Sequence, residues 1–225
     1  MTKAHLKRLA TPRSWPIKRK GITFIARPAS GKPLELTIPL VVAARDMIKV
    51  CKTAKELSYM MHEKGVIVDG KIRKSKNYPV GLFDVITFVK SKKSYRMTLS
   101  VKGKISFVES TKDSDLKLVN IKNKTNVKGK TQLNFHTGTN MLVEKDTFKV
   151  GDSIVLDKDA KIKETLAFEK GAAALLIAGK HIGAIGNIEE IKDGIITFKQ
   201  GDEVFETRKK YALVVGKKKP SVQLA

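Results

Sequence analysis

The chain is 225 residues long, 41% apolar, and carries 45 Lys+Arg against 22 Asp+Glu, a formal net charge of +23. That is apolar material for one sizeable core or two or three small ones, with a positive excess that opposes compaction unless a polyanion neutralises it. One cysteine, Cys51, and four scattered histidines exclude a disulfide framework and a zinc finger at usual spacings, and the longest apolar run, Ala172–Ala178, is too short to span a bilayer.

The charge is unevenly spread. Residues 1–139 hold 30 basic and 9 acidic side chains, residues 140–206 hold 9 and 13, and residues 207–225 hold 6 and none. A polyanion-binding N-terminal part and a more ordinary C-terminal module are expected. The first 33 residues contain nine cations and no acid, interrupted by Pro12, Pro16, Pro28 and Pro33. Without apolar periodicity this leader cannot build its own core. It is expected to be disordered when free, and deletion of residues 1–20 to leave the thermal transition of the folded body nearly unchanged. Trp15, the only tryptophan, is expected to dock on something, either protein or RNA.

Residues 39–64 read as two helices. Pro39 suits a first helical position, and Leu40, Ala44, Met47 and Ile48 fall on one face. Thr53 three residues before Glu56 is a capping box; Leu57, Met60 and Met61 form the apolar side of the second helix, and Gly65 is its expected C-cap. Val66–Val68 reads as a short strand, and Asp69-Gly70 as a two-residue hairpin turn. A row of cations follows: Lys71, Arg73, Lys74 and Lys76. Another strand holds Val85, Ile86 and Phe88. From about Tyr95 the pattern becomes short alternating strands: "RMTLSV", "KISFVES", "DLKLVNI", "TQLNF" and "DSIVLD". The last module, "GAAALLIAGKHIGAIGNIEEI", is punctuated by Gly179, Gly183 and Gly186, which are expected to supply positive φ and close backbone approach. With the Asp193-Gly194 turn and the strands after it, five short strands fit a small barrel.

The order "AKELSYMMHEKGVIVDGKIRKSKNYPVGLFDVI" resembles the S-four RNA-binding domain, in which the second helix and the following hairpin form a basic face for structured RNA. The glycine-punctuated module looks like a KOW motif of SH3-like type, with Ala184 where many members of that family carry a polar or basic residue. Together with the leader "HLKRLATPRSWPIKRK", these parts in this order resemble the small-subunit ribosomal protein four-e family over nearly the whole chain. The chain ends soon after the KOW-like module, which looks archaeal. The expected fold class is therefore multi-domain α+β. It comprises a basic extension over 1–37, an S-four-like domain over 38–94, a central β domain over 95–169, a KOW-like barrel over 170–216 and a basic tail over 217–225.

The resemblance implies a non-enzymatic RNA-binding constituent of the ribosome in the cytoplasm. Its partners would be small-subunit rRNA and neighbouring ribosomal proteins, with no cofactor, metal, membrane or small-molecule substrate. Phosphate neutralisation and counterion release would be its mechanism. The residues expected on RNA are Lys3, Lys7, Arg8, Arg13, Trp15, Lys18, Arg19 and Lys20 in the leader. Lys55, Lys64, Lys71, Arg73, Lys74 and Lys76 follow in the S-four-like face, and Lys180 and His181 in the last module. An RNA-modifying enzyme with an S-four domain and a KOW-containing transcription or translation factor are the alternatives. The enzyme needs a large catalytic domain, where this chain offers two small β modules. "KGKTQ" at 128–132 lacks the earlier glycine of a phosphate-binding loop, since Lys124 stands there. Ser58 and His62 share a helix face, but no third group completes a catalytic arrangement.

Overall fold

The computed structural model describes residues 5–110, 115–144, 146–157, 159–201 and 203–221. Strand predominates, and the chain divides into two compact units. One runs to Thr98 and resumes over Lys104–Asp115; the other comprises Leu99–Gly103 and the chain from Leu116 onward.

The first unit is built on a five-stranded sheet. Its spatial order is Lys71–Ile72, Val66–Val68, Val85–Phe88, Lys93–Leu99 and Ile105–Glu109. The sequence boundary expected at 94/95 falls inside one of these strands. The hairpin forms at the expected turn, with Asp69 at φ 51° and Gly70 at φ 73°, and Ile67 opposite Ile72. Two positive φ values in succession match the right-handed twist of the flanking strands. Asp69 Oδ1 also accepts from the Val85 N–H at 3.0 Å, tying the turn to the next strand. Leu57, Met61, Val66, Val68, Ile86 and Phe88 close the core beneath.

The second of the two expected helices forms, but it is capped at Glu63 with Lys64 in the left-handed position, not at the expected Gly65. Ala54–His62 begins at a capping box, in which Thr53 Oγ1 accepts from the Glu56 N–H and the Glu56 carboxylate accepts from the Lys52 and Thr53 N–H groups. Those backbone donors, Lys52's first, hold the Glu56 carboxyl below its ordinary range. The first helix is corrected. Only Leu40–Val42 is α-helical; Ala43–Met47 widens, so that the Ile48 N–H reaches back five residues to the Ala43 carbonyl. Pro39 is not its first residue but ends the strand Thr37–Pro39, which pairs with Pro79–Gly81. The cause is tertiary: the Leu40 and Val41 N–H groups donate to the carbonyls of Tyr78 and Lys76.

The leader is the larger correction. Its strand Leu6–Lys7 pairs with Phe24–Ile25, and Trp15 is only 1% exposed. The chain beside Trp15 is fastened to the body of the same unit. The Ile105 N–H donates to the Ser14 carbonyl, the Ser14 hydroxyl to the Glu35 carbonyl, and Lys104 Nζ to the Arg13 carbonyl. Further along, Lys32 makes an ion pair with Asp84, their side chains 6% and 0% exposed. The leader's few apolar groups are too sparse for a core of their own, but they complete one that the body supplies.

The second unit holds two five-stranded antiparallel sheets. One runs Asn140–Val143, Lys130–Phe135, Lys117–Val127, Ser153–Leu156, Ile162–Leu166 in spatial order. Val119, Ile121, Leu133, Phe135, Ile154 and Leu156 form its core. The other runs Glu203–Arg208, Ile195–Gln200, Ile185–Lys192, Ala173–Leu176, Ala212–Gly216. Both glycine uses expected here occur. Gly183 has φ 86° and would put a Cβ 2.0 Å from the Ser100 carbonyl oxygen, and a Cβ at Gly186 would lie 2.1 Å from that of Lys199.

Candidate nucleic-acid interface

Because the leader folds back, it makes one wall of a cleft whose other wall is the helical segment of the same unit. The main cavity is about 1260 Å³. Arg8, Lys18 and Lys20 line it from the leader, and Arg45, Lys49, Lys52 and Lys76 from the body. A second cavity of about 660 Å³ lies between the second helix and the basic row after the hairpin, with His62, Lys64, Lys74 and Lys76 on its walls. Lys76 and Asn77 line both cavities, so the two adjoin at these residues and together make up the basic groove of this unit.

Among the described residues Asp46 is the one acid lining either cavity, and its two oxygens are held by Arg45 at 2.8 Å each. That carboxylate raises the Arg45 pKa further, keeping the guanidinium charged. Among the described residues, Lys18, Lys20, Lys49, Lys52, Lys64, Lys74 and Lys76 have no carboxylate within ion-pair distance. Apolar groups lie between the charges: Ile22 is 69% and Phe24 51% exposed, and the Phe24 ring meets His5 edge-on at 5.2 Å. Like charges without counter-charges raise the potential of a concave surface, and an exposed ring between them offers a face for a base.

The leader keeps its charge because of how it is held. Arg8 Nη1 donates to the Lys18 carbonyl at 2.8 Å. Arg19 donates to the carbonyls of Leu9, Thr11 and Pro12 at 3.3, 3.0 and 2.8 Å. A carbonyl accepts a hydrogen bond without cancelling the guanidinium charge. These two arginines therefore fix the leader's shape and still contribute to its field.

Of the residues expected on RNA, Lys3 lies outside the described residues. Arg8, Lys18, Lys20, Lys64, Lys74 and Lys76 line the groove. Lys7, Arg13, Lys55 and Lys71 are exposed beyond its lining. Arg19 is spent largely on the leader's own carbonyls, and Arg73 is half-buried with its guanidinium 4.2 Å over the Tyr78 ring. Trp15 is corrected: it sits inside the protein, and its indole N–H meets no acceptor there among the described residues. Lys180 is exposed in the second unit, where His181 stacks on Phe205 at 3.9 Å and 13°. Sequence reasoning missed Arg45, Lys49 and Lys52. The signal was present in part: Arg45 and Lys49 stand four residues apart, off the apolar face of Leu40, Ala44, Met47 and Ile48. Ser58 is engaged elsewhere, its hydroxyl donating to the Ala54 carbonyl at 3.0 Å.

Comparison with known proteins places these features in context. Residues 91–162 match the family model described as Ribosomal family S4e, and residues 2–31 match the RS4NT domain. The chain is 40% identical over 230 residues to the small ribosomal subunit protein eS4 of Methanocella arvoryzae, covering 97% of both chains. It is 37% identical over 239 residues to that of Methanocaldococcus jannaschii, covering 99% of this chain and 98% of the other. The crystal structure of the 30S ribosomal protein S4e from Thermoplasma acidophilum superposes with a TM-score of 0.70 at 28% identity, over 80% of this chain and 95% of that one.

Proposed function

The chain belongs to the S4e family of small-subunit ribosomal proteins, and from that premise we propose that the groove of its first unit is the surface that grips ribosomal RNA. The protein is a structural constituent of the small subunit and, as such, binds rRNA and neighbouring ribosomal proteins. Its work is mechanical and electrostatic, not catalytic. The observation that carries the assignment is the row of lysines on both walls of the groove, none of which has a carboxylate within ion-pair distance among the described residues. Each would displace a condensed counterion from a phosphate. The docked leader lets both walls act together without the cost of ordering a free segment on binding.

The S-four-like and KOW-like readings complete the proposal. The hairpin Val66–Ile72 presents Lys71 on a rigid support, and Arg73, stacked on Tyr78, is pre-oriented as a planar fork. Phe24 offers its face to an unpaired base, since sequence-specific contacts to RNA are made chiefly with unstacked bases. Lys180 and His181 form a minor contact in the second unit.

The test is binding of the purified chain to a small-subunit rRNA transcript at rising salt, beside sedimentation of native extract. Log affinity should fall steeply with log salt, and the protein should travel with the small subunit until RNase releases it. A flat salt response would remove the groove as a phosphate surface.

A further inference from the structure

Both helical segments of the first unit end on a lysine in the left-handed conformation. Lys49, after the widened first segment, has φ 62°, and Lys64, after Ala54–His62, has φ 57°. At the second helix the geometry is that of a Schellman end: the Gly65 N–H reaches the Met60 carbonyl and the Lys64 N–H the Met61 carbonyl. The left-handed position of that motif belongs to glycine or asparagine, because a Cβ there crowds the backbone. The chain supplies glycine freely at such angles elsewhere, as at Gly70, Gly129 and Gly194. At this helix end the glycine comes one residue later. Gly65 is required there by space and not by φ, since a Cβ would lie 2.9 Å from the Met60 carbonyl oxygen. So the sequence spends conformational free energy to keep lysine at two helix ends.

Those two lysines are placed alike in another respect. Lys49 lines the larger cavity of the groove and Lys64 the smaller, both are exposed, and neither has a carboxylate partner among the described residues. Strained residues persist where function requires them. We infer that Lys49 and Lys64 are a pair of RNA-phosphate contacts, one in each half of the groove, held at the left-handed helix ends for their charge. The inference rests on the groove being the rRNA surface. The competing role is local: a cation at a helix C-terminus is favoured by the carbonyl end of the helix. The two roles predict opposite pairings of stability and binding.

The experiment replaces both lysines by glycine, which relieves the backbone and removes the charge, and in a second variant by arginine, which keeps the charge. Lys92→Gly is the control, because Lys92 is also left-handed, at φ 53°, but lines neither cavity. Binding to a small-subunit rRNA transcript is measured across salt, with thermal melts of each variant. The glycine pair should keep or raise the melting midpoint and reduce the salt slope by about 1.5 to 2. Between 50 and 200 mM salt its affinity should therefore fall less than that of the unsubstituted chain, by roughly threefold for each lysine removed. The arginine pair and Lys92→Gly should keep the original slope. A glycine pair that melts lower with an unchanged slope would overturn the inference in favour of the local role. Loss of slope in the unsubstituted chain itself would instead overturn the groove assignment on which this rests.

Discussion

The groove of the first unit and the surface of the second spend their cations differently; outside the groove the first unit also pairs lysines with acids, Lys90 with Glu63 and Lys93 with Glu109. In the second unit, surface lysines stand opposite acids: Lys124 with Asp146, Lys130 with Glu144, Lys163 with Asp157, Lys192 with Glu190, Lys199 with Glu189 and Lys217 with Glu164. In the groove of the first unit, one acid sits among many cations, and the leader's arginines bind carbonyls instead. The difference is not one of stability, since an exposed ion pair is worth only about 0–1 kcal/mol. It is one of field. Pairing cancels the potential that a polyanion would feel, and carbonyl acceptors leave it standing. A lysine count alone cannot distinguish a surface that solvates the protein from one that waits for phosphate.

The largest expected effect tests whether the leader is truly part of the first unit. Trp15→Ala should cost about 3–5 kcal/mol, the usual range for emptying a buried large aromatic site. Its thermal transition should drop, while Trp15→Phe should be mild because the indole N–H bonds nothing here among the described residues. Lys32→Ala, which leaves Asp84 buried without its lysine, should be comparably severe at about 3–5 kcal/mol. Leader deletion with an unchanged melt would restore the mobile-tail reading.

Next in size is the charge test. Replacing Lys18, Lys52 and Lys76 together by Ala should lower the salt slope of rRNA binding by roughly 2 to 3 and leave the melt nearly unchanged. The matching triple in the second unit, Lys124, Lys130 and Lys199, should shift the slope little. An equal loss from both triples would erase the contrast between the units. A smaller effect is local to the first unit: Thr53→Ala removes the capping box and should cost about 1 kcal/mol of stability, read by urea denaturation, without altering the slope.

The smallest effect separates the units by acid. Burial, with Lys122 nearby, holds the His136 pKa below its ordinary value in the second unit. Below the ordinary imidazole pKa the unfolded chain takes up a proton that the folded one resists. Stability contributed above that pKa is therefore lost as pH falls toward the depressed value. The second unit's urea midpoint should decline between pH 7 and pH 5, and His136→Gln should flatten that decline. A decline unaltered in the variant would assign the sensitivity to other groups.

Local features of this fold were legible in the sequence because they depend on neighbours in the chain. The Asp69-Gly70 turn, the Thr53/Glu56 box and the alternating strands of the second unit all followed from short-range rules. Reading failed where the deciding contact was distant. Lys32 looked like one more leader cation until Asp84, 52 residues on, made it an interior ion. Trp15 had no periodic partners from which to infer a core, because its core belongs to the body. Pro39 obeyed a helix-start rule, but pairing with Pro79–Gly81 claimed it for a strand. The groove shared this fate. Its leader and hairpin lysines were named, but the wall carrying Arg45, Lys49 and Lys52 emerged only once the leader closed over it.

The bond from the Ile105 N–H to the Ser14 carbonyl has a consequence in time as well as in space. Synthesis is vectorial, and residue 14 leaves the synthesising ribosome long before residue 105 exists. At about 5–20 residues per second, the leader waits roughly 5–20 s for its anchor to appear. During that interval a strongly cationic, tryptophan-bearing segment is undocked in a compartment full of nucleic acid. The nascent chain is thus at its most promiscuous before its first unit closes, and closure of that unit ends the exposure.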